Sequence, residues 1–138
     1  MPFSVRRARP EDVFQVHRVH SSAIREGAGE WYDPEVLEVW VDAFNPESFD
    51  TNIQTMEFFV AELPDGRIGG FLALDLDAGE LESMYVAPWG RGRGMGSYLL
   101  GFAEELARQR QVNELWLDSS LNAVAFYAAY GWDEKYRH

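Results

Sequence analysis

From residue 84 the chain reads Met-Tyr-Val-Ala-Pro-Trp-Gly-Arg-Gly-Arg-Gly-Met-Gly, with glycine at 90, 92, 94 and 96 and arginine at 91 and 93. A short apolar run, Leu81 to Val86, leads into Pro88. An amphipathic pattern follows the glycines at once, with Met95, Leu99, Phe102, Ala103 and Leu106 on one helical face. Strand, permissive loop and helix start must therefore follow one another within some fifteen positions. The first N–H groups of a helix have no intrahelical acceptor and sit at the positive end of its dipole, so they attract anions. Glycine lets that backbone come close to a ligand and take positive φ. The junction is built to hold phosphate.

Three common phosphate loops are excluded. The dinucleotide fingerprint needs Gly-x-Gly-x-x-Gly; counted from Gly90 the third glycine falls on Met95, and counted from Gly92 on Ser97. A Walker loop needs Gly-Lys followed by Ser or Thr, and the one lysine of the chain is Lys135. A kinase loop fails on the same glycine spacing, and the chain is too short for the rest of the kinase set.

What remains, Arg91-Gly92-Arg93-Gly94-Met95-Gly96 after Val86-Ala87-Pro88, closely resembles the coenzyme A-binding signature of the GNAT superfamily of N-acetyltransferases, with Arg91, Gly94 and Gly96 at its three defining positions. A second stretch, Leu115 to Trp132, resembles the next strand and helix of that family through Asn122, Ala125, Phe126, Tyr127, Gly131 and Trp132, with tryptophan where phenylalanine is usual. The resemblance is strong from 80 to 132, agrees in element order before that, and thins out after 132. It implies an α/β fold of the α+β layered kind, with a mixed, mostly antiparallel central sheet flanked by helices. It implies acetyl-CoA as co-substrate and a primary amine as acceptor, joined by direct attack in a ternary complex. The alternative is a non-catalytic acyl-CoA-binding module that has lost its acceptor site.

The resemblance also assigns residues. The backbone of Met84, Tyr85 and Val86 holds the pantetheine arm like an added strand. The amides of Arg91, Gly92, Arg93, Gly94, Met95, Gly96 and Ser97 receive the pyrophosphate. Tyr127 points its hydroxyl at the sulfur and donates a proton to the departing thiolate, a match in pKa for a phenol near 10. Asn122 either contacts the pantetheine or caps its helix. Glu82, two residues before Met84, is the candidate general base or else an exposed strand residue. The loop carrying Glu30, Trp31 and Tyr32 borders the acceptor pocket in relatives; these side chains either bind a cationic amine by charge and cation–π contact or, for Trp31, staple two helices together.

Composition narrows the setting. The chain has 138 residues, enough for one domain with a real core, and its 46% hydrophobic content argues against disorder. A single N-acetyltransferase domain over 1–138 is expected. There is no cysteine, so a cysteinyl acyl-enzyme and thiolate metal sites are excluded. A net charge of −11 disfavours nucleic acid and suits cationic acceptors. No apolar run of membrane-spanning length and no N-terminal signal core is visible, so no membrane partner and a cytoplasmic location are expected. His17 and His20 stand three apart, a spacing that can hold metal, but no third ligand is near in sequence and no metal is expected.

Along the chain, Val5 to Ala8 reads as a first strand. Pro10-Glu11-Asp12 starts a helix that stops at Gly27-Ala28-Gly29. Asp33-Pro34-Glu35 starts a second helix, with Leu37, Trp40, Val41 and Phe44 on its inner face, and Asn45-Pro46 ends it. Glu57 to Leu63, Ile68 to Leu76 and the strand ending at Val86 form a meander. A helix follows, then a strand from Glu114 to Asp118, then a helix from about Asn122 to Tyr130 that Gly131 stops. The family usually adds two more strands, and only Trp132 to His138 remains here. The shortened C-terminus leaves a sheet edge to be covered by the tail or by a second subunit in a homodimer.

Overall fold

The computed structural model describes residues 2–27, 32–43, 45–117 and 124–132. A four-stranded sheet runs β1 (Ser4–Arg7), β2 (Glu57–Glu62), β3 (Ile68–Asp75), β4 (Glu80–Val86) in that spatial order, each pair antiparallel. Three helices precede β2: α1 (Val13–Gly27), α2 (Pro34–Ala43) and α3 (Pro46–Thr55). Two more follow β4: α4 (Met95–Gln109) and α5 (Val124–Ala129).

Strand alternation decides which side chains meet which helices. Phe59 and Ala61 of β2, Leu72 and Leu74 of β3, and Leu81 of β4 share one core with Met95, Leu99, Leu100 and Ala103 of α4. Phe58, Val60, Phe71 and Ala73 turn to the other face, where Val16 and Val19 of α1 and Phe49 of α3 cover them. With both faces covered, β3 is buried from Ile68 to Leu74. That is why it reads as a continuous apolar run rather than an alternating one.

Three expectations need correction. Asn45-Pro46 does not merely end α2; it starts α3. Asn45 is the N-cap, its side-chain oxygen accepting from Ser48 N–H at 2.9 Å, and Pro46 takes the first turn, where a missing N–H costs nothing. The first strand is one residue earlier than read, although Ala8 N–H still donates to Phe58 O at 2.9 Å. The strand expected from 114 is, within the described residues, a single parallel bridge. Trp116 N–H donates to Gly79 O and Leu81 N–H to Trp116 O, while Asp118 lies outside the described residues, as does Phe44. The parallel part of the expected mixed sheet is this bridge. No helix among the described residues is long and apolar enough to cross a membrane.

Candidate active site

The glycine-arginine loop is positioned by close packing of main chain on main chain. After β4 the chain makes a short turn, Pro88–Gly90, that lies directly on β3. A Cβ placed on Gly90 would stand 2.5 Å from the carbonyl oxygen of Gly69, so no side chain fits there. Ala87 N–H donates to Gly69 O at 2.8 Å and the Trp89 indole N–H to Ile68 O at 2.9 Å, fixing the turn from both sides. Beyond it, Gly94 is the residue before α4 and sits in the left-handed region at φ +73, with no side-chain cap. Among the described residues none accepts from the backbone N–H groups of Gly92 to Ser97, while Tyr98 N–H is the first to bond back, to Gly94 O. The helix thus presents bare donors at its positive end. Arg91 and Arg93 are exposed beside them, and neither makes an ion pair among the described residues.

The edge of β4 supplies the second element. Since Ala87 bonds inward to β3, alternation turns Tyr85's backbone inward too, and Gly70 faces the Tyr85 carbonyl. The backbone groups of Met84 and Val86 therefore point away from β3, continuing the edge beyond the Trp116 bridge. Between them and that bridge the strand carries an extra residue. Leu81 pairs with Leu74 and Ser83 with Ala73, which leaves Glu82 as the bulge, half-buried and without an opposite number on β3. Bulges of this kind bend a strand and re-aim its side chains.

Tyr127 of α5 packs with Trp132 (ring centres 5.8 Å) against the core shared with α4. Gly131, at φ +89, ends the helix, and Trp132 N–H returns to Tyr127 O. Burial, with a smaller contribution from nearby Tyr85, pushes the Tyr127 phenol up to about 12. The Tyr85 side chain lies on the opposite face of the sheet. Its ring is edge-on to His20 at 4.8 Å and it packs with the cluster around Ile24, Leu37 and Val41 that also holds Tyr32 and Trp40. Burial raises the Tyr85 phenol as well.

Residues 26–137 match the family model described as the acetyltransferase (GNAT) domain. The chain belongs to the GNAT acetyltransferase family. It is 34% identical over 107 residues to streptothricin acetyltransferase from Streptomyces lavendulae, a match spanning 70% of this chain and 55% of that protein. The chain thus spans about half the length of that curated relative. Among solved structures it superimposes on a GCN5-related N-acetyltransferase from Rhodopseudomonas palustris with TM-score 0.92 and 28% identity, covering 100% of this chain and 86% of that one. The PaiA N-acetyltransferase from Thermoplasma acidophilum, solved in complex with coenzyme A, shares the fold at TM-score 0.81 and 24% identity, over 94% and 87% of the two chains.

Within this GNAT chain Met84, Val86, Met95 and Tyr127 pack against one core on the α4 face of the sheet, and Gly96 lies against Phe126 of α5 and Val86 of β4. Tyr32 falls in the α1–α2 connection, its ring 4.5 Å from Trp40. Glu30, Trp31 and Asn122 lie outside the described residues. His20 is buried against Phe49 and Tyr85 rather than presented beside His17. Among the described residues no three His, Cys, Asp or Glu side chains gather as a metal site would need. Two rings lie on the opposite face of the sheet: Trp40, expected on the inner face of its helix, packs with Tyr32, and the side chain of Tyr85, expected to contribute its backbone, packs with His20.

Proposed function

We infer that the chain moves an acetyl group from acetyl-CoA to a primary amine by direct attack of the amine on the thioester. The observation that carries this reading is the uncapped first turn of α4 beside the outward backbone of Met84 and Val86, in a chain of acetyltransferase family. The amides of Gly92 to Ser97 suit a diphosphate, with Arg91 and Arg93 adding charge. The outward groups of Met84 and Val86 suit an extended amide-bearing arm added as a strand. These residues fit the coenzyme A part of acetyl-CoA, whose thioester would supply the activated carbonyl when bound.

The chemistry asks for balanced proton movement. The C–N bond forms and the C–S bond breaks; an amine arriving as an ammonium loses one proton to become nucleophilic and a second as the amide forms, and the departing thiolate takes one up from water. Glu82, re-aimed by the bulge, serves as base to the amine directly or through water. Tyr127 stays protonated across the physiological range because burial lifts it to about 12. An ordinary thiol titrates at about 8.5, so full transfer from so weak an acid runs uphill. Tyr127 therefore acts as a hydrogen-bond donor to the sulfur while negative charge develops there. Tyr32, with Glu30 and Trp31 before it, borders the acceptor, and the net charge of −11 favours one that arrives as a cation.

The test is thiol release from acetyl-CoA across a panel of primary amines. Streptothricin belongs on that panel because a relative is named for it. Acceptor-dependent release is expected, slowed in Glu82→Gln at neutral pH and partly restored at high pH. Uptake of coenzyme A without release for any amine would favour a binding module, and no uptake at all overturns the reading.

A further inference from the structure

β4 ends at Val86, opposite Gly70, so the backbone of Ile68 lies beyond its reach. Two side chains take the place of the missing strand. Ile68 N–H donates to Gln15 Oε1 and the Trp89 indole N–H donates to Ile68 O, each at 2.9 Å. A main-chain N–H can only donate, which turns the Gln15 amide oxygen inward and leaves its NH2 group to face out. Arg18, three residues on and on the same side of α1, carries its guanidinium over the Trp89 ring, with Cζ 5.1 Å from the ring centre. Arg67 reaches in from the β2–β3 turn. Its main-chain N–H and its Nε hold the two oxygens of Asp65 at 3.0 and 2.8 Å, and its two Nη groups are left over. Gln15, Arg18, Arg67, Ile68 and Trp89 line one recess of about 30 Å³.

The acceptors in this recess are occupied and the donors are not. Gln15 Oε1 and Ile68 O each have their partner. Among the described residues nothing accepts from Gln15 Nε2, from Arg18 or from the Nη atoms of Arg67, and Arg18 makes no ion pair. The lining holds no carboxylate, although the chain carries a net charge of −11. Donors alone, two of them guanidinium groups, call for an anion. The space suits roughly two water-sized positions, which is what the oxygens of one carboxylate need. A guanidinium fork matches that flat pair, whereas phosphate brings four oxygens. We propose that this recess, on the α1 side of the turn at Pro88–Gly90, binds a small carboxylate, held by Arg18, Arg67 and the Gln15 amide over the Trp89 ring. It is separate from the bare amides of α4, because Gln15 and Arg18 come from the helix that covers the other face of the sheet. An occupant ties α1, the β2–β3 turn and the Trp89 turn together, and so stabilises the fold.

The test is thermal unfolding of the full chain against sodium acetate, with sodium chloride and sodium phosphate at the same ionic strength. Acetate raises Tm along a saturable curve, by about 5 °C once it exceeds its Kd roughly twentyfold, and the other two salts give no saturable rise. Arg18→Gln and Arg67→Gln each lose most of the rise, while Arg108→Gln, at an exposed arginine of α4, keeps it. Triglycine and its C-terminal amide ask whether the carboxylate belongs to a chain end. A response to the free carboxylates alone supports the proposal, and the tighter of acetate and triglycine names the source. The proposal is overturned if acetate gives no saturable rise, if phosphate, chloride or the amide matches it, or if both arginine variants respond like the wild type. It is also overturned if saturating coenzyme A abolishes the acetate effect, which would make the recess part of the diphosphate seat. A chain that takes up acetate and no coenzyme A keeps this site and loses the acetyl-CoA reading.

Discussion

On the α4 face of the sheet the chain presents main-chain groups to solvent: the amides of Gly92 to Ser97 and the outward backbone of Met84 and Val86. On the α1–α3 face it gathers side chains: His20, Phe49, Phe71, Tyr85, Tyr32 and Trp40, ring against ring. The first arrangement leaves a strict mark in sequence, because only glycine fits against Gly69 at position 90 and glycine is strongly favoured at φ +73. The second leaves almost none, because many rings and aliphatics fill a core equally well. A function performed by backbone is written in residue types, whereas one performed by side chains is written in positions that the fold must first bring together.

The largest effect expected falls on the side chain asked to assist the departing sulfur. Tyr127→Phe keeps the ring contacts with Phe126 and Trp132 and removes only the hydroxyl. The expected result is a kcat about a hundredfold lower with little change in KM for acetyl-CoA, the pattern of an interaction made in the transition state. Wild-type kcat would show that the sulfur leaves unaided and that this face works by main chain alone.

Next comes the packing of that main chain. In Gly90→Ala the new methyl would stand 2.5 Å from Gly69 O, backbone against backbone, so the turn must move. Forced overpacking of this kind costs about 2–3 kcal/mol, read as a Tm lower by roughly 5–10 °C. Coenzyme A uptake should fall with it, because the amides beyond the turn shift together. A variant that loses stability but keeps coenzyme A affinity would separate the turn from the cradle.

The opposite face should answer to pH instead. Burial, aided by the charge of His17, pushes His20 down to about 4 from its ordinary 6.5. The unfolded chain therefore binds a proton that the folded chain refuses as pH drops through that interval. Stability is fully present above 6.5 and declines as pH falls toward 4, by about 2 kcal/mol at pH 4.5. Urea denaturation at pH 7 and 4.5 reads the difference, and His20→Leu should flatten it. An equally steep acid loss in His20→Leu would assign the effect to carboxylates elsewhere.

How much was legible follows the same division. The meander of β2, β3 and β4, the start of α4 and the stop of α5 at Gly131 were read from turn residues and glycines whose conformations are compulsory. The bulge at Glu82 was not, since an extra residue appears only when two strands are counted against each other. The strand expected from Glu114 depends on a pairing neighbour that sequence does not name, and within the described residues it is one bridge.

Helix α3 shows the ambiguity most plainly and gives the smallest prediction. Asn before Pro disfavours helix at the asparagine, which is why the pair reads as the end of α2. The same pair is a good helix start, because asparagine caps and proline suits the first turn. Only Phe49, buried between His20 and Phe71, decides between them, by giving a helix at 46–55 something to pack on. In Asn45→Ala the Ser48 N–H loses its 2.9 Å acceptor, at a cost of about 1 kcal/mol. A slightly lower Tm with unchanged coenzyme A affinity is expected, since α3 lies on the face away from the cradle. Were coenzyme A affinity to drop as well, the two faces would be coupled through β3, and their separation into a backbone side and a side-chain side would describe composition without describing independence.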